Sequence, residues 1–183
     1  MYKVYKNAFE FSPELEKYVM KKSSLGDPIF NNKDGEDENN DGKRIQYDLE
    51  PSDTVSTHIK SKLQDIIEQY GYTGYVNDPV ILKSQKFCKR QRLHYDYDND
   101  ILKNIDENDY PHGVIVGVSN CCRFIVSPDG ISRKYIHFDK GDVIIFRGDT
   151  IHAGSEYFTE NIRIHAYIDS SSHKRIKNET FYV

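Results

Sequence analysis

His94 and Asp96 stand two residues apart in the run Arg92-Leu93-His94-Tyr95-Asp96. On a β-strand, alternation sends residues 92, 94 and 96 to one face, so an imidazole and a carboxylate point the same way and can chelate one cation. Neutral imidazole with carboxylate suits a borderline first-row metal, and two histidines with one carboxylate form a facial set that leaves coordination positions open. His152 best supplies the second histidine, because there an apolar strand ends in the small residues of His152-Ala153-Gly154. His137, in the run KYIHF, is a weaker alternative, since it lacks that context and a matching arginine downstream. Eleven residues beyond His152 comes Arg163, near the start of IRIHAYI. Alternation there places Arg163, His165 and Tyr167 on one face and Ile162, Ile164, Ala166 and Ile168 on the other. A guanidinium buried on a strand needs an anion, and its planar fork fits a carboxylate.

The elements that must position these groups change character along the chain. Pro13 to Lys22 reads as a short helix capped by Ser12. From Ser52 to Tyr70, Val55, Ile59, Leu63, Ile66, Ile67 and Tyr70 recur at spacings of three and four, which predicts an amphipathic helix capped by Ser52 or Asp53 and ended by Gly71. Its His58 belongs to the solvent side. Between the two, Asn31 to Arg44 (NNKDGEDENNDGKR) has no apolar side chain and reads as a mobile acidic loop. Beyond Tyr75 follow short β-rich runs: PVILKSQKF, KRQRLHYDY, GVIVGVS, CRFIVS, KYIHF, DVIIF and IRIHAYI. Turns are legible at Ser127 to Gly130 and at Asp139 to Asp142. A β-barrel or sandwich with helices packed outside is the economical architecture, and 183 residues suit one domain, 1–183, with its β core over 79–169.

Composition narrows the function. A formal net charge of −4 provides no basic field for nucleic acid or an anionic membrane. No run approaches the length of a membrane span or a signal-peptide core, so a soluble, intracellular protein, cytoplasmic or nuclear, is expected. Cys88, Cys121 and Cys122 form no CxxC pair and read as small apolar fillers. His112 and His173 have polar neighbours and read as surface residues. The polar stretch 98–113 suits either a lid beside a rigid site or a plain connection. The basic run of Lys83, Lys86, Lys89, Arg90 and Arg92 suits either an acidic substrate or a solvated edge.

The HxD pair, the distal histidine in its GD-strand-HAG stretch and the arginine on the next strand together resemble the Fe(II)/2-oxoglutarate-dependent dioxygenase superfamily. The similarity spans roughly Pro79 to Asp169, and KSQKFCKRQRLHYDY is most similar in layout to the prolyl-hydroxylase-like branch. Collagen-type members commonly carry Lys where this chain has Arg163, whereas the phytanoyl-hydroxylase-like branch carries Arg. The resemblance implies a double-stranded β-helix (jelly-roll or cupin-like) with N-terminal helices outside. It implies Fe(II) on His94, Asp96 and His152, and the distal carboxylate of 2-oxoglutarate on Arg163. His165 shares the face of Arg163, and Tyr135 is a candidate hydrogen-bond donor to the cosubstrate. The implied reaction uses O2, with ascorbate a candidate reductant, and hydroxylates a C–H bond with release of succinate and CO2. A protein or peptide substrate is the first expectation and a small metabolite the second. The alternatives are a cupin-like metal protein with other chemistry and a non-catalytic peptide-binding module on the same fold.

Overall fold

The structure is a computed structural model and describes residues 2–29, 41–175 and 180–183. In chain order the elements are β1 (Tyr2–Tyr5), α1 (Pro13–Lys22), β2 (Asp27–Pro28), β3 (Arg44–Asp48), α2 (Thr54–Gln69), β4 (Tyr75–Val76), β5 (Val80–Ser84), β6 (His94–Tyr95), α3 (Asn99–Leu102), β7 (His112–Gly117), β8 (Cys122–Val126), β9 (Lys134–Phe138), β10 (Val143–Arg147), β11 (His152–Gly154), β12 (Asn161–Asp169) and β13 (Phe181–Tyr182). The larger sheet runs β1-β10-β7-β12-β5-β3-β2, with β4 also on β12, and the smaller runs β13-β6-β11-β8-β9. Every pairing is antiparallel. This is the double-stranded β-helix, with helices outside.

Strand alternation divides the apolar residues between two layers. Val114, Val116, Val143, Ile145, Ile162, Ile164, Ala166 and Ile168 pack outward under the helices, together with Ile59, Leu63, Ile66 and Ile67 of α2. Each such aliphatic side chain contributes about 1.5–3 kcal/mol when fully buried, so this stripe is what pins α2 to the sheet. The intervening residues Ile115, Ile144 and Phe146 point inward, where they meet Phe124, Val126, Ile136 and Phe138 of the smaller sheet. The inward residues of β12 are Arg163, His165 and Tyr167, so this strand presents its polar face to the interior.

Local chemistry sets the element ends. The Ser12 hydroxyl accepts from Leu15 N and the Asp53 carboxylate from Val55 N, which resolves the choice between Ser52 and Asp53. Asp142 holds the turn into β10 by accepting from Asp139 N, Asn7 N and Lys6.

Three expectations change. Of the acidic stretch, residues 31–40 lie outside the described residues, whereas Arg44 opens β3 and is 6% exposed. The run KRQRLHYDY yields only a two-residue strand, His94–Tyr95, and Arg92 just before it is exposed. Cys88 and Cys122 are buried as expected, but Cys121 is exposed in a turn at φ 56.

Candidate metal centre and anion pocket

His94 and His152 face each other as directly paired residues of the antiparallel strands β6 and β11. Each ring holds Nδ1 2.8 Å from a backbone carbonyl two residues earlier, Arg92 O for His94 and Thr150 O for His152. A carbonyl can only accept, so Nδ1 carries the proton and Nε2 presents a lone pair. Asp96, just past the end of β6, brings Oδ2 within 3.3 Å of His152 Nε2 and Oδ1 within 4.0 Å of His94 Nε2. One donor atom from each of the three lies within 4.8 Å of the others, and all three residues are buried. Phe146 and Phe124 flank the His152 ring at centroid distances of 4.9 and 5.2 Å and fix its plane.

The electrostatics suit a cation. Burial first, and the neighbouring His152 second, push His94 down to about 4, so it is neutral near pH 7, as a metal ligand must be. Burial alone would raise the Asp96 carboxyl. The surrounding imidazoles, His152 first, more than reverse this and hold it well below the usual carboxylate range. Asp96 Oδ2 nevertheless has no hydrogen-bond partner. Two ring nitrogens and a carboxylate converge, a donor set that suits a divalent cation. The residues present therefore fit a first-row metal with nitrogen and oxygen ligands.

The same cavity continues to two arginines. Arg163 is 5% exposed and donates from Nη1 to the Tyr157 hydroxyl at 3.1 Å and from Nη2 to the Ser84 hydroxyl at 2.8 Å. Arg44 donates from Nη1 to the same Ser84 oxygen at 2.9 Å and from Nη2 to the carbonyls of Lys89, Gly154 and Ser155. The cavity between the triad and the arginines holds about 90 Å³ and is walled by Leu82, Ile115 and Phe124. Ile29, Gln46 and Thr180, all half-buried, stand among its lining residues and form the mouth.

The structure brings His94, Asp96, His152, Arg163 and His165 to one cavity. His165 lies with Nε2 3.9 Å from Asp96 Oδ2, buried and without a hydrogen-bond partner, and its ring packs against Tyr167. Tyr135 does not join them. Ile136 and Phe138 take the inner face of β9, so Tyr135 lies on the outer face with Leu93, Ile125 and Ala153, and its hydroxyl sits 3.3 Å from Glu156. His137 is exposed on that same outer side, and His58 is exposed on α2. His112 is half-buried and not fully at the surface: it opens β7 opposite Arg147 and Ile168, and burial pushes it down to about 4. The stretch 98–113 is anchored by buried Leu102 and by Asp109, which accepts from Ser171 and Ser172.

Arg44, Ser84 and Tyr157 were not singled out from sequence. A signal existed for the first two, since RIQYD and VILKS both alternate, placing Arg44 with Gln46 and Ser84 with Leu82. A wider groove of about 500 Å³ beside α2, lined by Lys60, Gln64, Tyr75, Asn77 and Asp169 among others, lies away from this cluster. Among the described residues no helix is long and apolar enough to cross a membrane.

No protein-family model and no curated protein matches the sequence. Solved structures do match in fold. A prolyl-4-hydroxylase from Pseudomonas putida superposes with a TM-score of 0.63 at 9% identity, covering 92% of each chain. HygX from Streptomyces hygroscopicus, with nickel, 2-oxoglutarate and hygromycin B bound, gives 0.64 at 11% identity over 96% of this chain and 85% of that one. A prolyl hydroxylase from Trichoplax adhaerens, in complex with a hypoxia-inducible-factor peptide fragment, gives 0.59 at 9% identity over 93% and 84%. At these identities the likeness is one of fold.

Proposed function

Starting from a fold shared with solved prolyl hydroxylases and a 2-oxoglutarate-bound protein, we propose that this chain is an Fe(II)- and 2-oxoglutarate-dependent dioxygenase that hydroxylates a C–H bond and releases succinate and CO2. The observation that carries the reading is one cavity with a two-histidine, one-carboxylate cluster at one end and a buried guanidinium at the other. Fe(II) held by His94, Asp96 and His152 would supply open positions for a 2-oxo acid and O2, with ascorbate as an external reductant. The protein's own groups do the rest. The backbone carbonyls of Arg92 and Thr150 fix the histidine tautomers. Arg163 grips the distal carboxylate, with Ser84 and Tyr157 orienting its fork. His165 stands beside Asp96 and lines the cavity that would hold the acid. Leu82, Ile115 and Phe124 keep water from the enclosed acid.

With the cosubstrate between the triad and Arg163, the substrate would present its C–H bond from the half-buried edge of the cavity. A protein side chain reaching in from outside suits this best, and a small metabolite seated at Ile29, Gln46 and Thr180 is the second choice. The match to a hydroxylase holding a peptide supports the first, and the match to a protein holding hygromycin B supports the second.

The test is anaerobic addition of Fe(II) and 2-oxoglutarate to the purified chain. A visible metal-to-ligand charge-transfer band is expected, followed by succinate formation in air. Folded protein that shows neither would sink the proposal.

A further inference from the structure

His94 and His152 face each other, yet the chain holds them unequally. Strand β11, which carries His152, is tied to β8 by three registered pairs, whereas β6, which carries His94, meets β11 at the single pair His94–His152. The turn ahead of His152 is closed as well: Thr150 N donates to Arg147 O at 3.0 Å and Ser127 N to Ile151 O at 2.9 Å. On the His94 side, Gln91 makes one more tie to β11, its N donating to Gly154 O at 2.9 Å. A strand of two residues needs more than this to stay in place.

The rest of the hold comes from the opposite edge, from β13. Tyr182 pairs with His94 and Phe181 with Tyr95. Val183 N donates to Leu93 O at 3.2 Å. Paired residues share a face of the sheet, so Tyr182 stands on the inner side with His94, their rings edge to face at a centroid distance of 6.3 Å.

Arg92 joins the two elements. Its carbonyl accepts from His94 Nδ1 at 2.8 Å, which fixes the ring and turns Nε2 toward the metal site. Its side chain, exposed to solvent, reaches to β13: Nη2 donates to Val183 O at 3.2 Å, and the guanidinium lies 5.1 Å over the Tyr182 ring. One residue thus grips β13 with its side chain and a metal ligand with its backbone.

We propose that Arg92 is a positioning residue: anchored to β13 through Val183 and Tyr182, it keeps its carbonyl where the His94 ring needs it, so that β13 sets the grip on the metal. This rests on the metal centre of the function proposed above, and on neither 2-oxoglutarate nor a substrate.

The experiment is Mn(II) uptake by the full-length chain without any 2-oxo acid, followed by loss of the free-ion electron paramagnetic resonance signal. The visible spectrum of the Co(II)-loaded chain is recorded beside it, because it reads ligand geometry. Losing an outer-shell partner of a metal histidine outright costs about 10–100-fold in affinity. Arg92→Ala keeps the carbonyl and loses only its anchor, so weakening of about tenfold, the lower end of that range, is expected, with an altered Co(II) spectrum. Arg92→Lys retains a donor for Val183 O and should recover most of the affinity. Tyr182→Ala should weaken Mn(II) in the same direction, and it decides the matter where Arg92→Ala does not fold. Wild-type Mn(II) affinity with an unaltered Co(II) spectrum in Arg92→Ala overturns the positioning role, as does an Arg92→Lys chain that binds no better than Arg92→Ala. With Arg92→Ala unfolded, wild-type affinity in Tyr182→Ala overturns it. A wild-type chain that takes up no Mn(II) overturns the metal centre itself. Mn(II) uptake that depends on Arg92, in a chain whose Fe(II) complex shows no charge-transfer band with 2-oxoglutarate, keeps this role and rejects the oxygenase.

Discussion

The two ends of the cavity are opposite in charge and alike in their incompleteness. At one, the Asp96 carboxylate is buried with Oδ2 3.3 Å from the Nε2 of His152. At the other, two guanidinia share one serine and, among the described residues, bond no carboxylate. Burying an ion without a partner costs several kcal/mol, and the metal and acid of the function proposed above would offset that cost at the two ends. The ends differ in construction. The metal end comes from two facing strands, β6 and β11, and the arginine end from β3, β5 and β12 of the other sheet. Each should therefore be separable by mutation.

Removing the metal end is expected to have the largest effect. His94→Ala or His152→Ala should abolish the charge-transfer band outright, while succinate titration of the metal-free chain stays at wild-type affinity. Loss of both signals together would mean the ends are not independent. Next in size, Arg163→Ala should weaken 2-oxoglutarate about a hundredfold, by analogy with stripping a buried charge-assisted pair. Mn(II) affinity measured without the acid should not change. An unaltered 2-oxoglutarate affinity would place the anion elsewhere.

Gly154→Ala should disturb both ends moderately. Its Cβ would lie 2.3 Å from Gln91 Oε1, which accepts from Gly154 N, and close to Arg44. An overpacking cost of about 1–3 kcal/mol is expected in chemical denaturation, with both metal and succinate affinity falling. The smallest effect concerns an imidazole outside both ends. His112 is held down to about 4 against an ordinary value near 6.5. Between those values the unfolded chain binds a proton that the native chain does not, so stability falls as pH drops from about 6.5 to 4. His112→Gln should lessen that slope by up to about 1.4 kcal/mol per pH unit. An unchanged slope would show that His112 titrates normally.

The metal end was legible because its grammar is local. HxD on a short strand and HAG after an apolar strand carry their geometry with them, and the alternation of IRIHAYI put Arg163, His165 and Tyr167 on the inner face. The arginine end was legible only in part. Arg44 closes a stretch of acids, and no apolar neighbour before it marks the start of a strand, so its burial depends on pairing with β5, which spacing does not reveal. Tyr135 was misplaced for a different reason: the strand faces were read correctly as pairs, but Ile136 and Phe138 have the stronger claim on the interior. His112 has polar neighbours in sequence, yet its neighbours in space are the paired strands β10 and β12.

The bonds from Arg44 to Gly154 and Ser155 span 110 and 111 residues of chain. Contacts that distant in sequence form only after most of the loop-closing entropy has been overcome, and they slow folding. The facing of His94 and His152 is likewise non-local, at 58 residues. Under the function proposed above, ion and acid would therefore meet a chain whose distant strands are already paired.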